Sequence, residues 1–129
     1  MKKIGRIEKI NFTNLSEETM SCKIDTGAWS AALHVESAEI VDGELVVKMG
    51  NNQYAFKKWK EINVKSSNGL EETRFGLKLR MRLGGKAYWL FVGLTNRGSM
   101  KYPVLIGRKF LRQNNFLVDV NKKNINGRP

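Results

Sequence analysis

The run from Leu77 to Leu83 constrains the fold more than any other part of this chain. Leu77, Leu79, Met81 and Leu83 alternate with Lys78, Arg80 and Arg82. A period of two places the apolar set on one face of a β-strand and the cations on the other. Gly84-Gly85 then turns the chain into a second apolar run, residues 86–94. This predicts an antiparallel hairpin with a basic outer face.

The same grammar recurs along the chain. Residues 4–12 and 20–24 are short strand candidates. Residues 33–41 and 44–49 flank Asp42-Gly43, a strong hairpin signal. Gly50-Asn51-Asn52 marks the next turn, and Ser66-Ser67-Asn68-Gly69 follows a strand at 62–65. Val104-Leu105-Ile106-Gly107 and residues 116–120 close the set, with one or two helical turns between them at 108–114. Many short strands with closely spaced turns predict an all-β fold, a small barrel or sandwich with one short helix near the C-terminus. The length of 129 residues suits a single domain, 1–129, with residues 1–3 and 121–129 expected to fray.

The residue counts exclude several chemistries. One Cys cannot form an internal disulfide, and one His with one Cys cannot supply the usual ligands of a zinc site. The longest apolar runs are far shorter than a membrane span, and residues 4–12 are too broken by charge for a signal peptide. The expectation is a cytoplasmic protein without cofactor, metal or membrane partner. The net charge of +11 attracts polyanions, whether nucleic acid or acidic polypeptide.

Of the three Asp, Asp42 is explained by its turn. Asp25 stands apart, because Asp25-Thr26-Gly27-Ala28 follows directly on an apolar strand. Gly27 permits a close approach, Thr26 offers a hydroxyl to brace the loop, and a carboxylate at a strand end points into a cleft. The tripeptide by itself is equally the composition of an ordinary strand-to-loop turn.

Asp25-Thr26-Gly27-Ala28, followed by Ser30 and Ala31-Ala32-Leu33, resembles the active-site loop of retropepsin-like aspartic proteases. Val104-Leu105-Ile106-Gly107-Arg108 resembles their second element, an apolar strand ending in Gly that passes beneath the catalytic loop and leads into a short helix. A closer similarity is to the RimB-like retropepsins, a bacterial family often labelled ATP-dependent zinc proteases. It rests on Ile4-Gly5-Arg6-Ile7-Glu8, on Val64 to Gly69 with Glu72 and Arg74, on Leu94-Thr95-Asn96-Arg97 with Met100, on Pro103 to Arg108, and on Phe116-Leu117-Val118-Asp119, in that order.

The resemblance implies a closed retropepsin-like β-barrel and an aspartic peptidase with Asp25, Thr26 and Gly27 as its catalytic loop. It places Ala28, Trp29, Arg97 and Arg108 at the substrate, the two arginines as candidate clamps for a substrate carboxylate or as loop braces. Trp29 departs from the polar residues expected there and either lines the cleft or packs in the core. The implied partners are a peptide or acidic, glutamate-rich protein tail and a RimK-type ATP-grasp glutamate ligase. The zinc of the family label is not expected, since His34 and Cys22 leave too few soft ligands. His34 reads as a strand residue and Cys22 as a small buried apolar one.

Aspartic protease chemistry needs two carboxylates sharing a proton, and this chain has one Asp-Thr-Gly. A homodimer, pairing Asp25 with its symmetry mate, is therefore expected; an intrachain pair with Asp119 ranks below it. Residues 46–56, with Gly50-Asn51-Asn52 at the tip, are either a flap or a plain surface hairpin. A non-catalytic binding module of the same fold is the alternative function. A nucleic-acid-binding barrel ranks third, because Tyr88, Trp89 and Phe91, beside the Lys78, Arg80 and Arg82 face, are expected to be buried.

Overall fold

The computed structural model describes residues 2–16, 18–65, 69–96 and 101–129. They form eleven strands and one helix: β1 Lys2–Phe12, β2 Met20–Ile24, β3 Ala31–His34, β4 Ser37–Val41, β5 Glu44–Met49, β6 Asn52–Phe56, β7 Lys60–Lys65, β8 Glu71–Leu83, β9 Lys86–Thr95, β10 Val104–Ile106, α1 Arg108–Gln113 and β11 Phe116–Lys123. The all-β class with one short C-terminal helix is as the sequence predicts. Among the described residues no helix is long and apolar enough to cross a membrane.

Eight strands share one sheet in the order β11-β1-β2-β10-β3-β9-β8-β7. A short β1–β8 pairing, Asn11 with Arg82 and Phe12 with Met81, joins the two flanks and closes β1, β2, β10, β3, β9 and β8 into a ring. The alternation in β8 is what fills this ring. Leu77, Leu79, Met81 and Leu83 are all buried against Ile4, Ile10, Phe12, Leu33, Val92 and Ile106. Burial of each such side chain contributes about 2 kcal/mol.

The expected hairpin of β8 and β9 forms in antiparallel register, with Lys78 opposite Phe91 and Arg80 opposite Trp89. The strand expected over residues 33–41 is divided. β3 stays in the ring, the chain leaves it at Val35 and Glu36, and β4 joins β5 and β6 in a separate three-stranded sheet. Polarity alternation slips by one at Glu36-Ser37, two polar residues in succession, and hydrogen bonding switches there: Val35 N donates to Thr95 O, and Glu36 N donates to Lys48 O. Leu45 and Val47 pin the small sheet to the core. The candidate flap, residues 46–56, falls on β5, β6 and the Gly50 turn between them.

Among the described residues, both terminal segments carry backbone pairing. Lys2 and Lys3 pair in parallel with Phe116 and Leu117. Beyond β11, Asn124 N donates to Ile7 O at 2.8 Å, Asn126 Nδ2 to Lys3 O at 3.1 Å, and Gly85 N to Pro129 O at 2.7 Å. A polar tail buries little apolar surface, but here distant backbone groups and one buried carboxylate supply its partners. Glu8 is that carboxylate. It is fully buried, accepting from Gly5 N at 2.7 Å through Oε2 and from Asn126 N at 3.2 Å through Oε1. Gly5 is required beside it, because a Cβ would lie 2.6 Å from Lys122 O.

Candidate active site

The candidate site begins where β2 ends. β2 and β10 run parallel, Ile24 opposite Ile106, and Asp25 N extends the ladder by donating to Ile106 O at 2.9 Å. The chain then turns sharply. Gly27 N donates to Asp25 Oδ1 at 2.9 Å and Ala28 N to Asp25 O at 3.2 Å, so the carboxylate is oriented by its own loop. Asp25 and Ala28 are half-buried; Thr26, Gly27 and Trp29 are exposed.

The loop rests on the start of α1. The first amides of a helix lack intrahelical partners. Here Arg108 N donates to Ala28 O at 2.8 Å and Lys109 N to Trp29 O at 3.0 Å, so loop carbonyls cap the helix in place of a side chain. Gly107 lies directly beneath. A Cβ there would come within 2.6 Å of Ser30 O and 2.7 Å of Ala28 O, so only Gly lets the two segments meet. Arg108 completes the brace: its Nη1 donates to Thr26 O at 2.9 Å, and its guanidinium lies 5.9 Å from the Trp29 ring centre.

The structure thus brings Asp25, Thr26, Gly27, Ala28, Trp29 and Arg108 together. Arg97 lies outside the described residues. Asp119 is elsewhere: β1 separates its strand from β2, a gap of two strands or about 10 Å, and its Oδ1 accepts from Asn121 N at 3.0 Å. Trp29 is about half exposed, which places it at the surface rather than in the core.

Cys22, on the strand feeding Asp25, is fully buried. Burial pushes its thiol from 9.0 up to about 12, and the nearby Glu8 charge adds to this, so it is no nucleophile. His34 donates its backbone N–H to Pro103 O, and its buried Nδ1 has no hydrogen-bond partner among the described residues. No group of three or more His, Cys, Asp or Glu gathers to hold a metal among the described residues.

Two hollows flank the loop. One, of about 530 Å³, lies between Thr26, Arg108, Leu111, Asn115, Phe116 and Val118. The other, of about 400 Å³, is lined by Trp29, Ser30, Lys78, Trp89, Phe91 and Lys109. The second corrects an expectation. Trp89 is not buried but 57% exposed, because Leu90 and Val92 take the inward positions of β9. Its neighbours turn it outward with Arg80, a signal present in the register but not in composition. Glu8 is the other residue that sequence reasoning passed over; it shares the even, inward positions of Ile4, Ile10 and Phe12.

Comparison with known proteins fits this geometry. A crystal structure of a protein of unknown function from Legionella pneumophila superposes with a TM-score of 0.76 at 29% identity, covering 97% of this chain and 98% of that one. Proteins named "Probable alpha-L-glutamate ligase" from Shewanella pealeana and Shewanella halifaxensis are each 30% identical over 128 residues, 90% of this chain. The match spans 28% of the length of each of those ligases. The family model described as "RimB-like: Retropepsin-like aspartic endopeptidase RimB" matches residues 3–129. The chain therefore belongs to the RimB-like family of retropepsin-like aspartic endopeptidases.

Proposed function

We propose that this chain is half of an aspartic peptidase, active as a homodimer on acidic protein tails in the cytoplasm. The observation that carries the reading is the Asp25-Thr26-Gly27 loop, held over Gly107 and braced by Arg108. In the dimer, Asp25 meets its symmetry mate across a two-fold axis. Two carboxylates about 3 Å apart cannot both ionise, so one is base and the other acid. The base takes a proton from water, the water oxygen bonds to the peptide carbonyl carbon, and the acid protonates the carbonyl oxygen. Collapse breaks the C–N bond with a proton passed to the leaving amine, which leaves a new carboxyl and a new amine.

Several features support the dimer. Among the described residues β11 pairs only with β1, and its Leu117 and Val120 are exposed. The hollow beside Thr26 lies next to this unpaired edge. The β5–β6 hairpin, with Gly50 at φ +58, would serve as the flap. Ala28 and Trp29 would line the substrate cleft, with Arg97 and the free donors of Arg108 binding substrate carboxylates. The names of the similar ligases support a partnership with a RimK-type glutamate ligase and a glutamate-rich substrate.

A second reading, a non-catalytic module that binds such a ligase or its product, draws on the same relatives. One experiment separates the two: cleavage of glutamate-tailed and untailed peptides by wild type and Asp25→Asn, with the mass in solution determined by sedimentation. The peptidase reading expects a dimer and a loss of about 10³-fold or more in cleavage rate. A monomer whose slight activity is untouched by Asp25→Asn would establish the binding module instead.

A further inference from the structure

Between residues 73 and 118 the chain carries Arg74, Lys78, Arg80, Arg82, Lys86, Arg97, Lys101, Arg108, Lys109 and Arg112, and not one Asp or Glu. Three of these cations, Lys78, Arg80 and Lys109, stand in or beside one hollow. Leu77, Leu79, Met81 and Leu83 point inward from β8, and Leu90 and Val92 from β9. The outer face of the hairpin therefore shows cross-strand pairs of cation and aromatic: Lys78 with Phe91, and Arg80 with Trp89. Lys78 Nζ lies 5.8 Å from the Trp89 ring centre. Facing them across the groove stand Trp29, Ser30 and Lys109. Trp29 and Trp89 are 48% and 57% exposed, and among the described residues no carboxylate lines the groove.

We propose that this groove is a binding site for single-stranded nucleic acid, with a base stacked on Trp89 and phosphates on Lys78, Arg80 and Lys109. Three observations select this partner. An exposed indole is a platform for a flat ring, and base–aromatic stacking is open only to unpaired bases. A glutamate tail would use the cations and leave both indoles idle. The hollow, about 400 Å³, has the size of a small-ligand site and not of a duplex groove. The cations also continue beyond it: Lys78, Arg80 and Arg82 follow one face of β8 at a spacing of roughly 7 Å, which suits successive phosphates of an extended strand.

The site is distinct from the Asp25 carboxylate, and the inference stands without peptidase activity. Fluorescence anisotropy of labelled oligo(dT) and oligo(U) on the full chain, over a range of salt, tests it. Binding should weaken with salt, exceed that of a duplex of equal length, and be unchanged by Asp25→Asn. Trp89→Ala, at an exposed position, should fold normally and bind about tenfold more weakly. Lys78→Ala should reduce the salt slope by about 0.7. Equal affinity for duplex, or full affinity in Trp89→Ala, would reduce the effect to bulk charge and overturn the proposal. A poly-glutamate peptide whose binding falls with Trp89→Ala as steeply as that of the oligonucleotide would overturn it too, and would assign the groove to acidic peptides.

Discussion

The Asp25 loop and the groove beside it share Trp29 and the start of α1, yet they are held in opposite ways. The loop is a main-chain construction. Asp25 N, Ala28 N, Arg108 N and Lys109 N all bond to backbone carbonyls, and Gly107 leaves no room for a single added carbon. The groove is a side-chain construction: Lys78, Trp89 and Lys109 reach over a hairpin and a helix that would keep their shape without them. A site built from backbone is intolerant of change in its supports, whereas one built from side chains can be retuned residue by residue.

Gly107→Ala should break the contrast open if it is mistaken. The added Cβ overlaps backbone oxygens on two residues, so the expected cost is about 3 kcal/mol in urea unfolding and, on the peptidase reading, cleavage is lost alongside. Lys109→Ala, two residues on, should stay within about 0.5 kcal/mol of wild type. Equal stability of the two variants would refute the distinction.

Next in size is Glu8→Ala, which leaves Gly5 N and Asn126 N without their acceptor. About 2 kcal/mol should go, and hydrogen exchange at Asn126 should accelerate before the rest of the sheet opens.

Arg108→Lys keeps the charge and loses the planar fork that reaches Thr26 O over Trp29. A brace predicts roughly tenfold lower kcat on neutral and acidic peptides alike, from a displaced loop. A rise in KM confined to acidic peptides would instead mark Arg108 as a substrate clamp.

The last expected effect vanishes at neutral pH and is confined to the alkaline range. Burial raises the Cys22 thiol from its ordinary 9.0, the value expected in the unfolded chain, to about 12 in the fold. Between those values the unfolded chain has lost a proton that the native chain keeps. Stability is thus full below pH 9 and falls as pH rises toward 12. Denaturant midpoints of Cys22→Ala should show a shallower alkaline decline than those of wild type.

The parts of the fold legible in sequence are those set by neighbours in the chain. Alternation through Leu77–Leu83 and the turn residues at Asp42-Gly43 and Gly84-Gly85 are local, and so is Asp25-Thr26-Gly27. What escaped depends on contacts between distant segments. Alternation gives the side of a strand, not what covers that side, so Trp89 is expected in the core, whereas β9 turns it outward and leaves it 57% exposed. The order in the tail depends on Glu8, more than a hundred residues earlier, and polar composition carries no trace of that partner. The split between β3 and β4 is a change of hydrogen-bonding partner, and its one local trace is the pair of polar residues Glu36-Ser37, where the alternation slips by one.

The closure of the ring has a further consequence, in time. The pairing that seals it joins residues 11–12 to 81–82, β10 inserts between β2 and β3, and β11 returns to β1 from the far end of the chain. During synthesis β1 and β2 must wait with open edges for most of the chain to appear. Such long-range parallel pairing predicts slow folding for a domain of this size. The floor of the Asp25 loop, residues 104–109, is among the last parts to arrive. The candidate catalytic loop therefore takes shape only once residues 104–109 have joined strands laid down some eighty residues earlier.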